Sequence, residues 1–301
     1  MNKHDSWDIV SGVGITALGV AGARAMESKR SDALIDDPYA ESFVTHAHSS
    51  IPLPTSWASV EGAAQRSEGE ALWASFWAGM ATYVGVRSRF FDEYLLDASG
   101  AGIRQVVILA AGLDTRAFRL PWPALVQLYE IDQPKVLEFK DTVLNDQNAV
   151  ASCARHIVPV DLRDDWPVAL LRAGLDPQSP TAWLAEGLLP YLPGSATEAL
   201  FAHVHQCSAA GSRLGAEEVH PDMRATIHQP DSQELRRSSG VDVAALWPND
   251  DRPDPAHWFR DHGWQVTATS GGQAADRYGR TLGKPADTDF ATLMLLTAQL
   301  A

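Results

Sequence analysis

Residues 104–134 constrain the fold most. The run Arg104-Gln105-Val106-Val107-Ile108-Leu109 is largely apolar, breaks at the small-residue turn Ala110-Ala111-Gly112-Leu113-Asp114, and opens into a helical stretch. A strand that ends in a tight turn and a helix is how an α/β sheet begins a nucleotide site. A second apolar run, Leu125 to Tyr129, ends on Glu130-Ile131-Asp132. Acids there stand at the carboxyl end of the neighbouring strand, within reach of a ribose bound at the first turn. Glu130 and Asp132 flank one residue, so in an extended chain they face the same side. If the strand has already ended at Glu130, one of the two turns into the cleft, where a carboxylate accepts two ribose hydroxyls in charge-assisted hydrogen bonds; both are candidate cofactor contacts.

The first turn lacks the spaced glycines of G-x-G-x-x-G, which bring backbone close to a pyrophosphate. A dinucleotide therefore fits poorly. An adenosine cofactor without phosphates asks less of the turn, and S-adenosyl-L-methionine suits it, its amino-acid end lying over Ala110 and Gly112.

Apolar runs at 104–110, 125–130, 155–160, 181–186 and 212–218 alternate with helical patterns at 115–119, 134–145, 163–173 and 195–209. That rhythm predicts a doubly wound, mostly parallel α/β sheet. Trp264 to Ser270 and Phe290 to Gln299 read as a closing pair, which makes seven strands, and 255–262 as a helix. Right-handed crossovers then bring the strand ends to one rim. Residues 1–98 read as a helical N-terminal cap, with helical spacing from Thr16 to Met26 and Leu72 to Leu96 and a proline-broken loop from Ile51 to Ser59. The polar stretch 220–254 breaks the rhythm and reads as an inserted lid. No linker divides the chain, so residues 1–301 are expected to form one domain with a core at 104–219 and C-terminal strands in 255–301.

Further acids fall on the same rim. Asp161, after the third strand, is placed to accept from an adenine amine with Leu162 against the ring, or to cap the following helix. Glu186 closes the fourth strand, where methyl donor and acceptor would meet. Arg87 and Arg89 are its candidate partners, and a guanidinium there is equally suited to a methionine carboxylate. Trp7, Trp57, Trp73 and Trp77 are core residues or an aromatic lid over the cofactor.

A net charge of −14 argues against nonspecific binding to nucleic acid or an anionic membrane. Two cysteines, Cys153 and Cys207, are too few for a disulfide framework or a thiolate zinc site, and a cytoplasmic location without a structural metal is expected. The apolar run Ile9 to Ala25 is too short to span a bilayer and reads as a packed helix.

Together, Tyr83-Val84-Gly85-Val86-Arg87-Ser88-Arg89, the 110–116 turn, Glu130-Ile131-Asp132-Gln133-Pro134, Asp161-Leu162-Arg163-Asp164 and Ala185-Glu186-Gly187 resemble, in order and spacing, the leucine carboxyl methyltransferase superfamily. Asp5-Ser6-Trp7-Asp8 and Asp36-Asp37-Pro38-Tyr39-Ala40 resemble its bacterial branch, abundant in actinobacteria. The resemblance implies a class I methyltransferase fold of Rossmann-like type. It also implies S-adenosyl-L-methionine as cofactor, with contacts from Arg87, Gly112, Asp132, Asp161, Leu162 and Glu186. Some relatives methylate polyketide intermediates. Many members have glycine where this chain has Ala110, which loosens the expected contact there.

The expected reaction is O-methylation of a small-molecule carboxylate or hydroxyl. A carboxylate acceptor needs no general base. A phenol or alcohol does, and His203, His205, His220 and Tyr191 are the candidates. The rival readings are a nicotinamide-dependent Rossmann oxidoreductase and a noncatalytic S-adenosylmethionine-binding protein.

Overall fold

The structure, a computed structural model, describes residues 9–219, 243–283 and 289–301. Four helices come first: α1 (Gly12–Ser28), α2 (Ala40–Ala47), α3 (Trp57–Ala64) and the long α4 (Glu68–Gly100). The start of α4 is fixed by Ser67, whose hydroxyl accepts from the Glu70 amide, with Glu68 and Glu70 placed favourably in the first turn.

The alternating region follows as β1 (Gln105–Leu109), α5 (Arg116–Arg119), β2 (Gln127–Asp132), α6 (Pro134–Asp146), β3 (Ala154–Pro159), α7 (Trp166–Arg172), β4 (Thr181–Ala185), α8 (Gly194–Gln206) and β5 (Arg213–Glu218). The chain closes with α9 (Val243–Leu246), α10 (Pro255–Asp261), β6 (Trp264–Ser270), α11 (Gly271–Arg277) and β7 (Met294–Leu300).

The strands form one sheet in the order β3-β2-β1-β4-β5-β7-β6. β7 inserts antiparallel between β5 and β6, while the other six strands run in one direction, β1 to β5 as directly paired parallel neighbours. This is the seven-stranded, doubly wound, Rossmann-like sheet expected from the sequence. Val107 and Leu109 pack with Trp166 and Leu170 of α7 and Phe201 of α8 on one face. Val106 and Ile108 pack with Phe91 and Leu95 of α4 and Ala274 of α11 on the other. Period-two alternation thus feeds two cores, and β1 and β4, covered on both sides, are wholly buried. Because β1 and β4 are neighbours whose following connections leave to opposite faces, a crevice opens at their carboxyl ends.

The main departures from the sequence reading are local. β2 continues to Asp132, two residues past the expected end, and β1 stops at Leu109, one residue early. The second difference has a cause: Ala110 adopts φ +51°, which turns the chain out of the sheet. Helices α2 and α3 fall in the cap read as helical but outside its two stretches of helical spacing, α3 begins inside the stretch read as a loop, and α11 has no counterpart among the expected elements. Of the expected lid, 220–242 lies outside the described residues, as do Trp7 and the 5–8 motif. The remainder includes α9 and a turn in which Asp250 accepts from the Gly194 amide and Arg252 donates to the Leu189 carbonyl. No helix among the described residues is long and apolar enough to cross a membrane.

A left-handed backbone costs an L-residue about 1–2 kcal/mol, whereas glycine loses about 0.4–1 kcal/mol through its freer unfolded chain. Ala110→Gly should therefore leave stability unchanged or raise it by up to about 1.6 kcal/mol, by urea denaturation. A loss of more than about 2 kcal/mol would mean that the Ala110 methyl carries packing the turn depends on.

Candidate cofactor and acceptor site

A cavity of about 760 Å³ opens at the carboxyl rim of the sheet, in the size range of small-molecule sites. Its floor is the β1 turn, Ala110 to Asp114, flanked by Asp132 from β2, Asp161 and Leu162 after β3, Glu186 after β4 and Glu217 at the end of β5. Its roof comes from α1 and α4, with Trp247, Phe290 and Leu293.

Asp132 is the hinge between strand and turn. One carboxylate oxygen accepts from the Gly112 amide at 2.7 Å and the other from the Gln133 amide at 2.7 Å. Gly112 sits at φ +46°, where glycine carries no steric penalty. Burial raises the Asp132 carboxyl to about 6 despite these two donors. The native protein thus holds this proton more tightly than the unfolded chain. Asp132 alone favours folding as pH falls from about 6 toward 4, the reverse of a salt-bridged carboxylate. A ligand whose hydroxyls donate to the ionised form has the opposite linkage. Its affinity should fall as pH drops below about 6, with proton release on binding. Titration calorimetry of S-adenosylhomocysteine from pH 8 to pH 5 in buffers of different ionisation enthalpy measures both quantities. A pH-independent affinity would show that Asp132 does not meet the ribose.

Around Glu186 lies a buried ionic network. Arg87 Nε stands 2.7 Å from Glu186 Oε1, at ion-pair distance without hydrogen-bond alignment, and Nη1 donates to Glu217 Oε2 at 2.8 Å. Arg116 Nη1 donates to Glu186 Oε2 at 2.7 Å, its Nε donates to Asp92 at 2.7 Å, and it also pairs with Asp114. Burial works against the Asp114 charge, but Arg116 outweighs it and holds that carboxyl down at about 2. Glu217 further accepts from Tyr83 Oη at 2.6 Å and from the Gly187 amide at 2.9 Å. The site is therefore preorganised by fixed charges in low dielectric, not by mobile solvent.

Seven of the eight sequence-identified residues line this cavity: Arg87, Ala110, Gly112, Asp132, Asp161, Leu162 and Glu186. Glu130 is the correction. Because β2 continues past it, its carboxylate lies under the sheet surface, fully buried, where Arg155 of β3 donates to it at 2.7 Å and Lys140 of α6 stands 2.8 Å away. Glu130 holds two helical and strand cations in the core and has no access to a ribose.

Arg89 is not a Glu186 partner either. It points outward and bridges to Glu93, one turn along α4. His203 packs edge-on against Trp166, and His205 lies beside Trp264 at 3.1 Å, so neither faces the cavity. His220 lies outside the described residues. Tyr191 does line it. Of the described N-terminal tryptophans, Trp57 donates to the Met26 carbonyl and Trp73 packs on Trp77, and only Trp77 of these three lines the cavity. Arg116, Tyr83 and Glu217 also line the cavity and are not among the residues the sequence singles out. The strand-end argument applied to Glu217 would have found that one, since β5 ends on the same rim.

A family model described as leucine carboxyl methyltransferase matches residues 17–205. A protein of Saccharopolyspora erythraea, provisionally named an S-adenosyl-L-methionine-dependent methyltransferase, is 50% identical over 299 residues, covering 99% of each chain. A similarly named protein of Mycolicibacterium smegmatis is 46% identical, covering 96% of this chain and 92% of its own. Among solved structures, a DUF574 family protein from Streptomyces avermitilis superposes with a TM-score of 0.52 at 15% identity, covering 92% of this chain and 100% of its own. A protein provisionally named a methyltransferase, from Thermobifida fusca, does so with 0.50 at 18% identity, covering 81% and 92%. At these identities the structural likeness speaks for the fold.

Proposed function

The chain belongs to the leucine carboxyl methyltransferase family, and on that premise we propose that it methylates an oxygen of a small molecule, a carboxylate or hydroxyl of the kind polyketide metabolites carry. It is an S-adenosyl-L-methionine-dependent methyltransferase, as its relatives are named, built on the class I, Rossmann-like sheet. The donor, when bound, supplies an activated methyl on a sulfonium.

The observation that carries the site assignment is Asp132: a desolvated carboxylate at the strand end, gripping the Gly112 amide and facing the cavity. The residues fit the group. Asp132 is suited to the ribose hydroxyls, and Asp161 with Leu162 to the adenine. Ala110 and Gly112 are suited to close backbone approach. Arg87, with Nε turned to Glu186 and Nη1 to Glu217, has Nη2 left for the methionine carboxylate. Glu186 and Glu217, on the cavity wall, would supply negative charge to a bound sulfonium. The chain's own contribution to rate is positioning and exclusion of water, effects that can supply ~7–11 kcal/mol in favourable cases. We take residues 1–301 as one domain acting in the cytoplasm, in keeping with two free cysteines.

The test is to follow S-adenosylhomocysteine release over a panel of hydroxylated and carboxylated small molecules, with mass detection of each methylated product. Esters are then separated from ethers by mild base. Product that depends on both enzyme and donor supports the reading. Donor binding without release over any acceptor would favour the noncatalytic alternative.

A further inference from the structure

The cavity extends past the cofactor residues into a lobe walled by Leu53, Phe76, Met80, Val219, Phe290 and Leu293. These side chains belong to one packing cluster with Tyr83, whose ring stacks on Phe290 at 5.4 Å. Among the described lining residues there is no lysine or histidine. Every lining arginine already faces a carboxylate: Arg24 with Asp37, Arg87 with Glu186 and Glu217, Arg116 with Asp92, Asp114 and Glu186, Arg119 with Asp92, and Arg163 with Asp161. With Arg87 Nη2 taken by the methionine carboxylate of a bound donor, an anion entering the lobe would lose its water and find no uncommitted cation among the described residues, against a wall that already carries Glu217 and Glu186. An uncharged molecule incurs no such penalty and gains from burying apolar surface.

Resting on the methyltransferase reading above, we propose that the acceptor is an uncharged, largely apolar molecule bearing a hydroxyl, and that Tyr83 with Glu217 takes its proton. The acceptor oxygen forms the new O–C bond as the C–S bond breaks, and the bonding pair stays on sulfur. The hydroxyl proton passes to Tyr83 Oη while the tyrosine proton moves to Glu217 Oε1 along their 2.6 Å hydrogen bond. Glu217 gives this tyrosine a carboxylate to take its proton, whereas Tyr191 faces Thr16 and Trp247.

The experiment is a calorimetric titration at pH 8 of the full chain preloaded with S-adenosylhomocysteine, using 2-naphthol and 2-naphthoate as probes of matched shape. The proposal expects 2-naphthol to bind at least tenfold tighter. Equal or tighter binding of 2-naphthoate, or binding of neither, would overturn it. Turnover with S-adenosyl-L-methionine is read as 2-methoxynaphthalene. Tyr83→Phe should cut its formation at least 50-fold while the 2-naphthol Kd stays within threefold. Unchanged turnover in that variant, or no product from bound 2-naphthol in the unaltered protein, overturns the proton route. The preloading titration is itself a separate readout. Its failure sinks the donor assignment, whereas tight 2-naphthoate binding to a preloaded protein sinks only the acceptor class.

Discussion

Replacing Asp132 with alanine should weaken S-adenosylhomocysteine binding by at least about 100-fold, because two hydrogen bonds to a charged acceptor contribute about 1.5–3 kcal/mol each. Two effects add in the same direction. The ribose loses its acceptor, and the Gly112 amide loses the carboxylate that fixes the turn. Stability should change little at pH 8, since the side chain removed is one that burial disfavours in its charged form. Asp132→Asn keeps the shape but exchanges charge for a neutral amide, so it should fall between the two. Calorimetry gives the affinities and thermal melting checks the fold. An alanine variant that binds within threefold of the unaltered protein would remove Asp132 from the site.

The largest effect on stability should come from Arg116. The residue is 2% exposed, and its guanidinium serves Asp92, Asp114 and Glu186 from three different parts of the chain. Arg116→Leu leaves these carboxylates buried with less compensation, and breaking a buried pair in this way costs about 3–5 kcal/mol. The pH dependence gives a second signature. Without the arginine, the abandoned carboxyls should titrate higher in the native state than in the unfolded chain. The variant should therefore regain stability relative to the unaltered protein as pH falls from 8 toward 5. Urea denaturation at both pH values measures this. A loss below about 1 kcal/mol, or a deficit that does not shrink on acidification, would contradict the role assigned to Arg116.

The contrast between Asp132 and Glu130 shows what the sequence carries and what it leaves out. Both acids are visible at the end of an apolar run, and their spacing puts them on one side of a strand. Which one faces the cavity depends on where β2 ends, and that is decided by pairing of Asp132 with Pro159 on β3. Lys140 and Arg155, which claim Glu130, come from separate elements and are brought together only by the right-handed crossover through α6. The parallel strands were legible because burial on both faces leaves continuous apolar runs. The insertion of β7 between β5 and β6 was not, since hydropathy says which segments are strands but not which edges they join. Short helices such as α2 and α3 carry too few turns for a periodic signal. They take their shape from packing under α1 and α4.

The reach of the site was also underestimated for a physical reason. Glu217 and Tyr83 are separated by 134 positions and meet only because α4 packs against β4 and β5. No local pattern marks a tyrosine inside a helix as a neighbour of a strand-end acid. Arg116 was likewise hidden, since its partners lie on α4, in its own turn and after β4.

A cavity built for an adenosine cofactor without a pyrophosphate should take S-adenosylhomocysteine and refuse the nicotinamide dinucleotides. The most direct measurement is calorimetric titration of the unaltered protein with S-adenosylhomocysteine, run beside NAD and NADP. Saturable one-to-one binding of S-adenosylhomocysteine, with neither nicotinamide cofactor binding, is the predicted result. Binding of NAD or NADP without S-adenosylhomocysteine would contradict it and turn the same rim of acids into the site of an oxidoreductase.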